Sequence, residues 1–294
     1  MTFPENGQST GGVSGVAQMQ PALRHLQGKV LVIKVGGSTC EHHQMILQDI
    51  LWLHASGVFP VLVHGGGPAI NAWLDKMHVP ITIQHGLRVT DATTLEIVQM
   101  VLCGQINPRL VSLMTALGGK AVGLCGADGK MIQARMINPA LGFVGRVTAV
   151  DPEVVQVLLA QGYIPIIAPV GRGCDGSPLN INADFVAAHL AGALQADRLV
   201  ILSDVAGICR ADGTRIAELD ESTARRLIRT RVVHGGMIPK VQACLKATQM
   251  GSRAQILDGR APHLLLSALS PGSREGTEIV RRREDVARSV RPAF

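Results

Sequence analysis

Short, nearly unbroken apolar runs alternate along this chain with glycine-rich turns and amphipathic stretches. Lys29-Val30-Leu31-Val32-Ile33-Lys34-Val35 runs into Gly36-Gly37, and Val58-Phe59-Pro60-Val61-Leu62-Val63-His64 runs into Gly65-Gly66-Gly67-Pro68. A strand buried on both faces of a parallel sheet reads as such a run rather than as an alternation. Helical stretches around Gln44 to Ala55 and Ala69 to Met77 follow the two runs, so this part reads as a βαβ series. Asp91 stands as a cap before Ala92-Thr93-Thr94, helices are predicted around 93–103 and 106–117, and Ala121 to Leu124 is a short strand. Residues 126 to 147 alternate small apolar pieces with Gly and Asn-Pro, as β-hairpins do, and Asp151 caps a helix to about Gln161.

The densest signal follows. The run Tyr163 to Val170 enters a Gly-rich turn, Gly171 to Gly176, and the chain then presents Leu179-Asn180-Ile181-Asn182-Ala183-Asp184 before a helix from Phe185 to Gln195. Another run, Leu199 to Leu202, ends in Ser203-Asp204. A helix near 222–229 begun by Asp220 or Ser222, a helix from Val241 to Met250 and a core strand from Ala254 to Leu257 close the series. The expected fold is α/β: a three-layer αβα sandwich with a central, mostly parallel sheet, in one body with two lobes. Sheets of this kind bind ligands where strands give way to helices.

Composition narrows the function. The 294 residues suffice for a large core, and 47% hydrophobic with 17% charged residues is globular. Aromatic residues make up only 3%, too few for a base-stacking platform, so no nucleic-acid partner is expected despite a formal charge of +6. The basic residues are scattered except for Arg281-Arg282-Arg283, which reads as a solvated face. No apolar run reaches the length of a membrane span and no signal peptide is evident, so no membrane partner is expected. Six single cysteines without a C-x-x-C pair read as reduced thiols in a cytoplasmic enzyme, and the dispersed histidines give no metal site. Val16, Met19, Leu23 and Leu26 share one face of a short N-terminal helix kinked at Pro21, behind a tail of small and polar residues.

Each glycine turn lets backbone N–H groups converge on an anion at a helix start, though a tight turn needs glycine in any case. Neither matches a P-loop or a dinucleotide fingerprint. Lys34 interrupts an apolar strand, and a buried lysine is costly unless paired. Lys240 follows Gly235-Gly236 where a loop enters a helix, and alone it reads equally as a surface lysine. Asp184 is either a counter-ion for both lysines or the N-cap of the helix that follows. Arg88 suits a carboxylate, and Asn180 and Asn182 suit hydrogen bonding or a turn. No nucleophile elbow or pair of catalytic acids stands out. A carboxylate attacking the γ-phosphate of ATP needs neither, because its catalysis consists of alignment and charge neutralisation by lysines, glycine turns and Mg2+.

Six segments together carry a resemblance: Lys34 to Ser38, His64 to Pro68, Gly86-Leu87-Arg88-Val89-Thr90-Asp91, Asn180-Ile181-Asn182-Ala183-Asp184, Leu202 to Gly207, and Gly236-Met237-Ile238-Pro239-Lys240. From about Gly28 to Arg281 the chain resembles the acetylglutamate kinases of the amino-acid kinase family. The resemblance implies ATP-dependent phosphorylation of the side-chain carboxylate of N-acetyl-L-glutamate, in arginine synthesis. It assigns Lys34 and Lys240 to transition-state stabilisation and Asp184 to orienting them. Gly36, Gly37 and Gly66 would bind the phosphoryl group. Gly66, Gly67, Arg88 and Asn180 would bind the acceptor, with Arg88 on its α-carboxylate. Ser203, Asp204, Val205, Gly207, Ile208, Cys209, Val232, Val233 and His234 would line the nucleotide site. Residues 1–27 would be tail and N-terminal helix, 28–174 an acceptor-binding and dimerising lobe, and 175–294 an ATP-binding lobe. A homodimer core, a hexamer built from dimers, and arginine as feedback inhibitor are further implications. His85, Gln105, Pro108 and the Ser270 to Thr277 loop depart from the usual pattern. A kinase for an amino-blocked aminoadipate in lysine synthesis, and a non-catalytic nucleotide or arginine sensor, are the alternatives.

Overall fold

The computed structural model describes residues 23–37, 43–84, 86–210 and 212–280. The tail, the N-terminal helix before Leu23, Cys40, His42, His85 and Arg281-Arg282-Arg283 lie outside them.

In chain order the elements are β1 (Val30–Val35), α1 (His43–Ala55), β2 (Phe59–His64), α2 (Gly67–Lys76), β3 (Ile83–Gln84) and β4 (Leu87–Arg88). There follow α3 (Ala92–Gln99), a π-helical segment (Met100–Ile106), α4 (Asn107–Ala116), β5 (Ala121–Cys125), β6 (Ile132–Met136), β7 (Val144–Val150), α5 (Glu153–Ala160) and β8 (Ile164–Ala168). The remainder comprises β9 (Val170–Arg172), β10 (Pro178–Ile181), α6 (Ala183–Ala193), β11 (Arg198–Ser203), β12 (Glu218–Asp220), α7 (Glu221–Arg229), α8 (Met237–Gln249), β13 (Arg253–Asp258), α9 (Leu264–Leu269) and β14 (Thr277–Val280).

The apolar runs became the interior of an eight-stranded sheet in the order β12-β14-β13-β11-β1-β2-β8-β5. Its ladders are parallel except that β14 runs antiparallel to β13. Because strand side chains alternate between faces, the run Leu31 to Val35 feeds two cores. Val32 joins Val61, Val63, Leu199 and Ile201 under α5, α6 and α8, whereas Leu31, Ile33 and Val35 join α1, α2, α4 and α9 on the other face. The expected three-layer sandwich is therefore present. Among the described residues no helix is long and apolar enough to cross a membrane.

Three features were not expected. The hairpin β6–β7 joins β9 and β10 in a small closed sheet, β10-β7-β6-β9, beside the main one. The edge strands β12 and β14 extend the main sheet past β13. Finally, the helices predicted around 93–103 and 106–117 are joined by the π-helical segment. Pro108 supplies a reason: proline lacks an N–H and crowds the carbonyl four residues before it, and the wider π turn relieves that conflict.

Asp91 and Asp220 cap α3 and α7 as expected, accepting from the Thr94 and Thr223 N–H groups. Leu23 and Leu26 are buried in the chain's own core. A hydrogen-bonding contact fastens α1 to the start of α9: His263 Nδ1 lies 2.7 Å from Oδ1 of the buried Asp49, with the Trp52 ring 5.1 Å from the His263 ring. Burial pushes the Asp49 carboxyl up to about 6, against the pull of His263. A raised carboxyl stabilises the fold below its unfolded value and loses that contribution as pH rises through its folded value. Asp49→Asn is therefore expected to flatten the fall in stability between about pH 4 and 6, by up to about 3 kcal/mol. Urea denaturation of both proteins at several pH values tests this, and parallel curves would refute it.

Candidate active site

Lys34 occupies the same face of β1 as Val32, and α6 packs against that face. The lysine is 5% exposed and the start of α6 meets it. Asn182, not Asp184, is the N-cap: its side chain accepts from the Asp184 N–H at 2.8 Å. That leaves the Asp184 carboxylate for the lysines. Its Oδ1 lies 2.8 Å from Lys34 Nζ and its Oδ2 lies 3.4 Å from Lys240 Nζ. Of the two readings of Asp184, the counter-ion is the one the geometry bears out.

Burial alone would push the Asp184 carboxyl up, but Lys34 and Lys240 outweigh it and hold the group below its usual range. Burial draws Lys34 below its ordinary value while Asp184 restrains the shift and Lys240 adds to it. One buried carboxylate thus holds two lysine side chains close together, an arrangement that concentrates positive charge at a largely buried site. Helix α8 begins at Met237, earlier than predicted, so Lys240 stands in its first turn rather than before it.

These three side chains line a cavity of ≈370 Å³ together with Gly36, Gly37, Gly66, Gly67, Arg88 and Asn180. All residues expected to bind acceptor or phosphoryl group are thus brought together. The two glycine turns touch: a Cβ on Gly37 would lie 2.7 Å from Pro68 Cδ and 3.2 Å from the Gly67 nitrogen. Gly66 caps α2 and presses on the π-helical segment, where an added Cβ would come within 2.5 Å of Leu102 and 2.6 Å of Ile106. Glycine at position 66 therefore lets the start of α2 sit directly against the π-helical segment at the cavity wall.

Arg88 is held from α2. Its Nη2 donates to the Asn71 Oδ1 and, at 3.5 Å, to the Gly67 carbonyl, while its Nη1 is buried with no hydrogen-bond partner in the protein. A half-used guanidinium fork in a cavity suits a carboxylate. Asn180 donates from Nδ2 to Thr90 Oγ1 at 3.0 Å. Asn71 and Thr90 were not anticipated as supports, nor was the buried contact of His64 Nε2 with Asn107 Nδ2 at 3.2 Å behind the second glycine turn. These contacts join residues far apart in sequence.

A second cavity, ≈680 Å³, is lined by all nine residues expected at the nucleotide: Ser203, Asp204, Val205, Gly207, Ile208, Cys209, Val232, Val233 and His234. Arg210, Gly235 and Met237 line it too and were not foreseen. Its loop is pinned by the unexpected strand β14. Thr277 Oγ1 accepts from the Ile208 N–H at 2.8 Å and donates to the Ile216 carbonyl at 2.6 Å. Gly207, with φ +135, leaves room for that hydroxyl, since a Cβ there would sit 2.7 Å from it. Gly236 and Lys240 line both cavities, so the two spaces meet at the Lys240 ammonium. No group of three or more His, Cys, Asp or Glu suited to a metal ion occurs among the described residues.

The pattern of the "Amino acid kinase family" matches residues 29–258. The chain is 48% identical over 268 residues to the acetylglutamate kinase of Synechococcus sp. (strain JA-2-3B'a(2-13)), covering 88% of this chain and 86% of that protein. It is 43% identical to the acetylglutamate kinase of Moorella thermoacetica (strain ATCC 39073 / JCM 9320), covering 88% and 94%. Among solved structures, N-acetylglutamate synthase from Neisseria gonorrhoeae complexed with coenzyme A and N-acetyl-glutamate superposes with a TM-score of 0.80 at 26% identity. The match covers 96% of this chain but only 64% of that longer synthase. Carbamate kinase from Giardia lamblia bound to AMP-PNP, 19% identical with a TM-score of 0.64 over 86% of this chain and 99% of that one, shares the fold.

Proposed function

The chain belongs to the amino acid kinase family, and we infer that it is an acetylglutamate kinase, an ATP-dependent phosphotransferase of arginine biosynthesis. The observation that carries the reading is the Lys34–Asp184–Lys240 arrangement where the two cavities meet. The acceptor lies in the smaller cavity, its α-carboxylate on Arg88 and its amide beside Asn180. ATP lies in the larger one. An oxygen of the acceptor's side-chain carboxylate attacks the γ-phosphorus while the bond to the β,γ-bridging oxygen breaks, giving an acyl phosphate and ADP. No proton has to move, so the reaction requires no general base.

The work of the protein is electrostatic and positional. Two anions must approach, and charge then gathers on the oxygens of the transferring group. Lys34 and the N–H groups of Gly36, Gly37 and Gly66 neutralise that charge from the acceptor side, and Lys240 from the nucleotide side. Asp184 keeps both ammonium groups in place and is not free to act as a base. Mg2+ enters with ATP as part of the co-substrate, held chiefly by the phosphates, the usual habit of this ion. Residues 28–174 supply most of the acceptor site and 175–294 the nucleotide site.

Release of ADP from Mg-ATP tests the reading. Turnover is expected with N-acetyl-L-glutamate and not with glutamate, aspartate or N-acetyl-aminoadipate. Turnover with aminoadipate instead would keep the mechanism and move the pathway to lysine. ATP binding with no turnover on any acceptor would make the protein a sensor. Arg88→Ala is expected to raise the acceptor KM about 10- to 100-fold, from loss of a charge-assisted pair worth about 1.5–3 kcal/mol. The ATP KM should move little, and an equal rise in both constants would remove Arg88 from the acceptor site. Location in the cytoplasm, a homodimer core joined into a hexamer, and inhibition by arginine belong to the same reading. Light scattering and titration with excess arginine check the last two.

A further inference from the structure

A third cavity, ≈640 Å³, opens between the β6–β7 ladder and the helices α6 and α8. Its charged lining is cationic: Arg135, Arg146, Arg225 and Lys246 contribute, and no aspartate or glutamate does. Arg225 is neutralised by Glu221 at 2.6 Å, but among the described residues no ion pair engages Arg135, Arg146 or Lys246. Arg135 and Arg146 face each other directly across the antiparallel ladder. Opposed residues share one face of a sheet, and like charges so placed repel. That cost disappears if an anion lies between them. Phe185, Val147 and Leu245 supply an apolar wall beside the charges, and burial and Lys246 both draw His189 below its ordinary value.

We propose that this cavity is a second ligand site, for a small molecule with two phosphate- or carboxylate-type negative charges on an apolar body, seated between Arg135, Arg146 and Lys246. Planar guanidinium groups match such oxyanions. The site is distinct from the catalytic cavities, yet Ile181 and Asn182 form walls of both this cavity and the acceptor cavity. A ligand here would therefore bear on the residue that caps α6 and sets the position of Asp184.

The probe is bis-anilinonaphthalene sulfonate, which carries two sulfonates on an aromatic body. It is titrated into the full chain with Mg-ADP and N-acetyl-L-glutamate at saturation, so that the other cavities are occupied, and the fluorescence readout needs no turnover. Saturable binding is expected, weakened at least tenfold in Arg135→Thr/Arg146→Thr, with ADP release at saturating substrates unchanged within twofold. Lys246→Gln, on a separate element, should weaken it severalfold and serves if the double variant does not fold. Displacement by inorganic pyrophosphate but not glutarate identifies a phosphate ligand, and the reverse identifies a carboxylate. Displacement by neither, or equal dye affinity in parent and variants, overturns the proposal.

Discussion

A Lys34→Met enzyme is expected to bind both substrates nearly as the parent does and to turn over about 10³-fold more slowly. Methionine fills the volume of the buried stem but carries no charge, so Asp184 retains Lys240 and the cavity keeps its shape. On the proposed mechanism, what is lost is one preorganised positive charge beside the transferring phosphoryl, and a single such donor is worth about 10²–10³ in kcat, with charged donors at phosphoryl groups reaching about 10³–10⁵. Because the interaction matures only as the phosphoryl group leaves ADP, kcat and kcat/KM should fall together. Initial rates at varied ATP and acceptor separate the alternatives. A raised KM with unchanged kcat would mean that Lys34 only binds ground-state substrate.

The second large effect falls on the carboxylate. Asp184 is 3% exposed and is the acid between two lysines, one of them 5% exposed. Removing one member of a buried ion pair costs about 3–5 kcal/mol, because the remaining charge has no compensation. Asp184→Ala should therefore lower stability by that amount and abolish turnover. Without the acid, burial and Lys240 would both favour loss of the Lys34 proton. The combined Lys34→Met/Asp184→Ala variant is expected to recover much of the stability and none of the activity. Urea denaturation of the two variants decides it: equal losses would mean that Asp184 matters through helix packing rather than as a counter-ion.

How far the molecule could be read in advance depended on the range of the forces involved. Strands buried on both faces announce themselves as continuous apolar runs, so the sandwich and its parallel sheet were legible from Leu31 to Val35 and Leu199 to Leu202. The small sheet of β6, β7, β9 and β10 was not, because its closure depends on pairing between distant segments that no local pattern encodes. The same division holds in the site. Lys34 was conspicuous because a charge inside an apolar run is costly. Asp184 was ambiguous because Asn182, two residues earlier, satisfies the local cap, and only the position of Lys240 on another helix resolves the choice. The supports of Arg88 and Asn180, namely Asn71 and Thr90, are long-range partners and left no trace in the local sequence.

The Thr277 hydroxyl ties the loop after β11 to the last strand, taking the Ile208 N–H and reaching the Ile216 carbonyl. Viewed as an event in synthesis, this tie sets an order. The residues that line the smaller cavity have all been added once Lys240 is made, but the loop of the larger cavity lacks its tie until Thr277 follows. A growing chain therefore gains every residue around Asp184 before it can fasten the loop of the larger cavity.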